Sequence, residues 1–103
     1  MDKTIIKKIC ELKSQGESLA LVTITSTKGS TPQKTGVAML VENNGKIWGT
    51  VGGGCGEAEV RQRALLALDE QISCTYQVTL LNDMAAMEGM VCGGTMEFFI
   101  QVL

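Results

Sequence analysis

The sequence contains no histidine, a single proline and few aromatic residues. Without histidine, the chain lacks the imidazole general base, the Ser–His and Cys–His nucleophile pairs and the commonest metal ligand. It also has no apolar run approaching the roughly 18 residues that a membrane span requires. The formal net charge of −2 argues against the basic face that is typical of nucleic-acid-binding proteins. We therefore expect neither a nucleic acid nor a membrane among its partners.

The four cysteines are too far apart to form a CxxC motif. This spacing excludes a zinc knuckle and a thioredoxin-type redox pair. Residues 1–11 are charged and periodic, unlike the apolar core of a secretory signal peptide. Together these features predict reduced thiols and a cytoplasmic location.

Apolar residues make up 45% of the 103 residues, which is enough for one hydrophobic core. We therefore expect a single domain spanning 1–103. Hydrophobic periodicity predicts helices over 2–15 and from Glu57 onward, and strands over 18–27, 37–41, 47–51, 74–80 and 96–102. The predicted fold is α+β, in the order α-β-β-β-α-β-β, with a mixed or antiparallel sheet.

The same periodicity predicts which side chains form the core. The first helix is expected to bury Ile5, Ile9 and Leu12, and the second to bury Val60, Ala64, Ala67 and Leu68. Asn43-Asn44-Gly45 separates two apolar runs and predicts a hairpin turn. Cys10 and Cys74 lie in periodic segments, and we expect both to be buried in the core.

Three consecutive glycines, Gly52, Gly53 and Gly54, separate a predicted strand from a predicted helix. Glycine reaches positive φ without strain, and a glycine turn before a helix exposes backbone N–H groups that bind anions. The spacing matches neither GxxxxGK[ST] nor GxGxxG, so it predicts neither an NTPase nor a dinucleotide fold. A tight turn with no ligand is the alternative that the spacing leaves open.

Cys55 directly follows these glycines, and Cys92 lies in a second glycine-flanked segment with Gly93 and Gly94. A cysteine at a helix N-terminus has its thiolate stabilised by the helix dipole, although Glu57 would oppose that effect. A soft thiolate beside an anion site suits a ligand that carries a soft metal or sulfur together with a phosphate. The alternative is that Cys55 is a small buried apolar residue. We expect Cys55 and Cys92 to face one cleft.

A loop containing Ser30, Thr31 and Lys34 combines two hydroxyl groups with an ammonium group. Such a loop can hold a phosphate, and the alternative is a solvated loop with no ligand. Four methionines, Met84, Met87, Met90 and Met96, lie near the second cysteine motif, where they can fill core gaps or line an adaptable surface.

Three motifs, at 28–32 (KGSTP), 49–57 (GTVGGGCGE) and 89–97 (GMVCGGTME), occur in this order. Together they resemble the N-terminal domain of the XdhC/CoxI family, whose members are maturation factors for xanthine dehydrogenase and related molybdenum hydroxylases. The resemblance implies that the chain binds the molybdenum cofactor (molybdopterin) as cargo. It also implies basic residues at two positions where this chain has Gln33 and Ala38. The candidate cofactor-binding residues are Ser30, Thr31, Lys34, Gly52, Gly53, Gly54, Cys55, Glu57, Cys92, Gly93 and Gly94.

The resemblance implies a cofactor-binding chaperone rather than an enzyme with its own turnover. The partners that it implies are an apo molybdenum hydroxylase, a cysteine desulfurase and a separate Rossmann-domain protein. Two other interpretations remain open, a protein-interaction module that binds nothing small and a sulfur carrier that uses Cys55 or Cys92 as persulfide acceptor. We also expect self-association or docking through an exposed sheet edge or the Met-rich segment.

Overall fold

A computed structural model describes residues 2–80 and 93–103, except for the side chain of Cys55. Its elements are α1 (Lys3–Ser14), β1 (Leu19–Lys28), β2 (Ala38–Glu42), β3 (Ile47–Gly49), α2 (Gly54–Glu70), β4 (Cys74–Thr79) and β5 (Thr95–Val102). The predicted α+β class and element order are confirmed. The largest shift of a boundary is at α2, which begins three residues before the predicted Glu57.

The five strands form one sheet in the order β3-β2-β1-β5-β4. Every neighbouring pair is antiparallel, so the sheet is antiparallel rather than mixed. The β2–β3 hairpin turns at Gly45, as predicted, and the Gly45 N–H donates to Glu42 O at 2.8 Å. Helix α2 follows the edge strand β3 in the chain and precedes the opposite edge strand, β4. It packs against β4, β5, β1 and β2, and a Cβ on Gly56 in its first turn would lie 3.0 Å from Leu80 Cδ2, just after β4.

The two helices pack on opposite faces of the sheet, because successive side chains of a strand alternate between faces. In β1, Ala20, Val22 and Ile24 belong to the larger core cluster beneath α2, whereas Leu19 and Leu21 pack with α1. The predicted helical faces are confirmed: Val60, Ala64, Ala67 and Leu68 of α2 are buried, as are Ile5 and Leu12 of α1.

The position of Cys10 differs from its prediction. Helix α1 buries the stripe of Ile5, Ile9 and Leu12, although Ile9 is only partly buried. Cys10 follows Ile6 by one helical turn, Ile6 is 46% exposed, and Cys10 is exposed as well. The prediction of a buried Cys10 is therefore wrong, since the sheet accepts only one face of this helix. Cys74, by contrast, is half-buried and packs against the larger core.

Trp48 in β3 connects the sheet to α1. The ammonium groups of Lys8 and Lys46 lie 4.2 and 4.4 Å from the centre of its ring, which is within cation–π distance. The indole N–H donates to Oε2 of the buried Glu42 at 2.6 Å. These contacts fix α1 over β2 and β3.

Neither helix in the described part of the chain has the length and apolar character needed to cross a membrane.

Candidate functional site

The glycine turn connects β3 to α2 through three residues that all have positive φ. Gly52, Gly53 and Gly54 have φ values of 127°, 72° and 67°. A side chain with a Cβ is strained in this region, so the three glycines are required by the path of the backbone. Cys55 is the second residue of α2. Its predicted position at the N-terminus of a helix is therefore confirmed.

The carboxylate of Glu57 folds back onto the glycine turn. Its Oε1 atom accepts hydrogen bonds from the backbone N–H of Val51 at 3.0 Å and of Gly53 at 3.3 Å. It also accepts from the Thr50 hydroxyl at 2.5 Å, and that hydroxyl oxygen accepts from Gly52 N–H at 3.1 Å. An acid of the chain itself therefore binds the N–H groups of Val51 and Gly53, and the Thr50 hydroxyl binds that of Gly52.

The loop after β1 joins the other two glycine motifs. A Cβ on Gly52 would overlap the ring of Pro32, and a Cβ on Gly94 would overlap the Ser30 carbonyl oxygen. A Cβ on Gly29 would lie 3.1 Å from the Gly93 carbonyl oxygen. The close contacts at Gly52 and Gly94 are possible only because glycine has no side chain. The described residues of the three motifs, which are distant in the sequence, thus meet in one region.

Two clefts flank this loop and share Lys34. The larger has a volume of about 630 Å³ and extends from the start of α1 to the end of β3. It is lined by Asp2, Ile5, Gln33, Lys34, Thr35, Gly36, Val37, Ala38, Gly49 and Thr50. The smaller, of about 470 Å³, is lined by Thr27, Thr31, Pro32, Gln33, Lys34, Thr35 and Val37. Thr50 connects the larger cleft to the glycine turn, since its hydroxyl is bonded to Glu57.

The charge in the larger cleft comes from Lys34 and Asp2. The carboxylate of Asp2 caps α1 by accepting from the Thr4 N–H at 2.9 Å. A carboxylate therefore satisfies donors at the start of each helix, Asp2 at α1 and Glu57 at the turn before α2. The exposed ammonium group of Lys34 is the cation that these clefts offer to a ligand.

Of the sequence-predicted residues, Gly52, Gly53, Gly54 and Glu57 form the turn before α2, and Gly93 lies beside Gly29. Lys34 and Thr31 line a cleft, whereas Ser30 and Gly94 contact each other beside it. Cys92 and the methionines at 84, 87 and 90 lie outside the described residues, as does the Cys55 side chain. A cleft shared by the two cysteines therefore stays a prediction.

Sequence reasoning missed Thr50 and Thr35 as residues of the site. Thr50 links the glycine turn to Glu57 and lines the larger cleft, and Thr35 lines both clefts. A signal for Thr50 was present, because a threonine two residues before a glycine favours a hydroxyl-to-backbone turn. Thr35 gave no such signal, because its place in the clefts depends on the contact between the loop and the sheet.

Comparisons with known proteins agree with the family that the motifs indicate. The family model described as "XdhC and CoxI family" matches residues 12–80. The chain is 35% identical over 98 residues to the uncharacterized protein YqeB of Escherichia coli K12, covering 95% of this chain and 18% of that protein. It is also 35% identical over 81 residues to a probable xanthine dehydrogenase subunit of Bacillus subtilis 168, covering 76% of this chain and 24% of that one.

A solved structure has the same fold. A protein from Bacillus halodurans described as a xanthine dehydrogenase superposes with a TM-score of 0.70 at 23% identity, covering 94% of this chain and 30% of that chain. The chain therefore spans less than a third of each of these relatives. The family match covers more than half of the chain and includes the motifs at 28–32 and 49–57. The chain belongs to the XdhC and CoxI family.

Proposed function

We propose that this chain binds the molybdenum cofactor as cargo and acts as a maturation chaperone for a molybdenum hydroxylase of the xanthine dehydrogenase type. Relatives at 35% identity include a probable xanthine dehydrogenase subunit, which supports the link to that class of enzyme. The observation that carries the proposal is the meeting of the three family motifs beside clefts that share Lys34.

The larger cleft fits a ligand of this kind in size and in chemistry. Its volume of about 630 Å³ lies within the range of about 300–1,000 Å³ that is usual for small-molecule sites. A terminal phosphate would bind the Lys34 ammonium and the Thr35 hydroxyl, which are donors suited to an anion. The turn amides of Val51 and Gly53 are bonded to Glu57. The phosphate would therefore lie on the Lys34 side of the site.

The positions of Gln33 and Ala38 also indicate the larger cleft as the ligand site. Both line it, and these are the two positions at which the family resemblance implies basic residues. Neither side chain carries a charge, so Lys34 supplies the positive charge there. Removal of this one cation is therefore expected to have a large effect.

The test is co-purification of the full chain from cells that make molybdopterin, with the bound pterin measured as its oxidised fluorophore. Wild type is expected to retain pterin. Lys34→Ala is expected to weaken retention roughly tenfold or more, because hydrogen bonds to charged groups contribute about 1.5–3 kcal/mol. Lys7→Ala is the matched control, since Lys7 is an exposed lysine of α1 that lines neither cleft. Wild type without pterin, or equal loss in both variants, would contradict the proposal.

Sulfur transfer is a second candidate function, favoured by the backbone position of Cys55 at the start of α2. A thiolate at a helix N-terminus is stabilised by the helix dipole. Incubation with a cysteine desulfurase followed by mass spectrometry would detect a persulfide on Cys55. Cys55→Ser should remove this signal, and Cys10→Ser serves as the control for an exposed thiol elsewhere.

A further inference from the structure

Within residues 2–80 and 93–103, the outer edge of β4 is open and lacks the usual protection against pairing. Leu80 N–H donates to Gly94 O at 2.8 Å, so the alternate residues Cys74, Tyr76 and Val78 direct their backbone groups toward β5. Thr75, Gln77 and Thr79 direct theirs away from the sheet, by the alternation of antiparallel pairing. In the described part of the chain, no strand pairs with this outer edge.

Proteins usually protect such an edge with charged side chains, proline, a bulge or a very short strand. The opposite edge strand, β3, has three residues and follows Lys46. In contrast, β4 has six residues with no charge and no proline, and its register with β5 is unbroken. A strand of this kind is suited to pairing with another strand.

The side of α2 next to β4 carries one acidic and one basic side chain. Each could pair with the opposite charge on the same surface of a second copy. Glu59, Arg63 and Leu66 form one stripe at helical spacing, and Glu59 and Arg63 lie near Tyr76 of β4. Leu66 is 45% exposed, and Ile72, just before β4, is 60% exposed. No ion pair joins Glu59 to Arg63 among the described residues. Glu59 is exposed and Arg63 is half-buried, and its buried Nη1 atom has no hydrogen-bond partner in that part of the chain.

We propose that β4 pairs antiparallel with β4 of a second copy of this chain, which forms a symmetric dimer with one continuous ten-stranded sheet. A two-fold axis near Gln77 brings identical edges together, and it sets both α2 helices side by side on the same face. Glu59 of each copy then lies opposite Arg63 of the other, because antiparallel flanks place unlike charges together. The exposed Leu66 and Ile72 are covered near the same contact.

The strand pairing is tested by measuring mass in solution over a concentration series. Gln77→Pro removes an N–H that points away from β5 and adds a ring to the edge, which an edge strand tolerates. This variant is expected to be monomeric with an unchanged circular dichroism spectrum. Gln77→Ala keeps the N–H and is expected to remain dimeric. A monomeric wild type at all concentrations, or a dimeric Gln77→Pro, would overturn the proposal.

The helix contact has its own test, which also decides the question if the proline variant fails to fold. Glu59→Arg and Arg63→Glu are each expected to weaken the dimer by roughly tenfold or more, since like charges then meet across the axis. The double variant restores unlike pairs and is expected to restore association. Asp69→Arg, on another face of α2, should leave the dimer unchanged. Failure of the double variant to associate more strongly than either single variant would contradict the arrangement.

Discussion

At the scale of single residues, Glu57 changes the interpretation of the glycine turn. Glycine-rich turns before helices are usually interpreted as anion sites, because their N–H groups are free. Here one carboxylate oxygen accepts from two of those N–H groups and from the Thr50 hydroxyl. An acid in the first turn also interacts favourably with the helix dipole. Glu57 therefore stabilises the turn, and the cation of Lys34 is left to attract an anionic ligand.

The hydroxyl of Tyr76 allows a pH-dependent prediction at the same scale. Hydrogen bonding to Glu59, with smaller effects of desolvation and of the Glu59 charge, raises the pKa of Tyr76 above its usual 10.0, while Arg63 opposes the shift. Glu59→Gln removes the charged acceptor and should lower the pKa of Tyr76. Because Tyr76 is the sole tyrosine of the chain, tyrosinate absorbance during an alkaline titration measures it directly.

The direction of the Tyr76 pKa shift determines how the stability of the fold changes with pH. A raised folded pKa means that the contact stabilises the fold fully below the unfolded value near 10.0. That stabilisation is lost as the pH rises through the folded pKa. Asp69→Asn removes a charge elsewhere on α2 and should leave the titration unchanged. An unchanged Tyr76 titration in Glu59→Gln would show that this contact is absent in solution.

At the scale of elements, the start of the loop after β1 is held against the other two motifs by close contacts at glycines. Gly94→Ala places a methyl group against the Ser30 carbonyl, which must move. We expect a loss of about 1–3 kcal/mol or more in the free energy of unfolding, as for other overpacked sites. The denaturant midpoint measures this loss.

Gly56→Ala is the matched comparison within α2. A Cβ there would lie 3.0 Å from Leu80 Cδ2, the end of a flexible side chain. Alanine is favoured over glycine inside a helix by about 1 kcal/mol. We therefore expect this variant to be as stable as wild type or more stable. Equal stabilities of the Gly94 and Gly56 variants would mean that the loop does not pack against Gly94.

At the scale of the whole molecule, the two helices are held with unequal strength. Helix α2 buries four side chains in the larger core, whereas α1 buries two, with Ile9 partly buried beside them and Lys8 over the ring of Trp48. Local opening is expected where fewer apolar contacts hold an element. The backbone amides of α1 should therefore exchange with solvent before those of the central strand β1.

The variant Leu12→Ala gives a stricter test of the predicted order of exchange in α1 and β1. Removing the buried Leu12 side chain, at a cost of about 2–5 kcal/mol, should speed exchange in α1 far more than in β1. The fluorescence of Trp48, the single tryptophan, should change together with α1 exchange, since Lys8 lies over its ring. Identical opening free energies for α1 and β1 in wild type would contradict this order.

The sequence by itself determined the order of the elements, their buried faces and the hairpin at Gly45, because periodicity and turn chemistry act over a few residues. It also indicated that Gly52–Gly54 are free to adopt positive φ, and the structure shows that all three do. Only the tertiary structure decided that the loop at 28–32 packs against Gly52 and Gly94, and that Cys10 lies on the exposed face of α1. It likewise decided that the Glu57 carboxylate turns back to the backbone amides of Val51 and Gly53. Those outcomes depend on which surfaces meet when the chain packs, and local sequence patterns carry no information about contacts between distant segments.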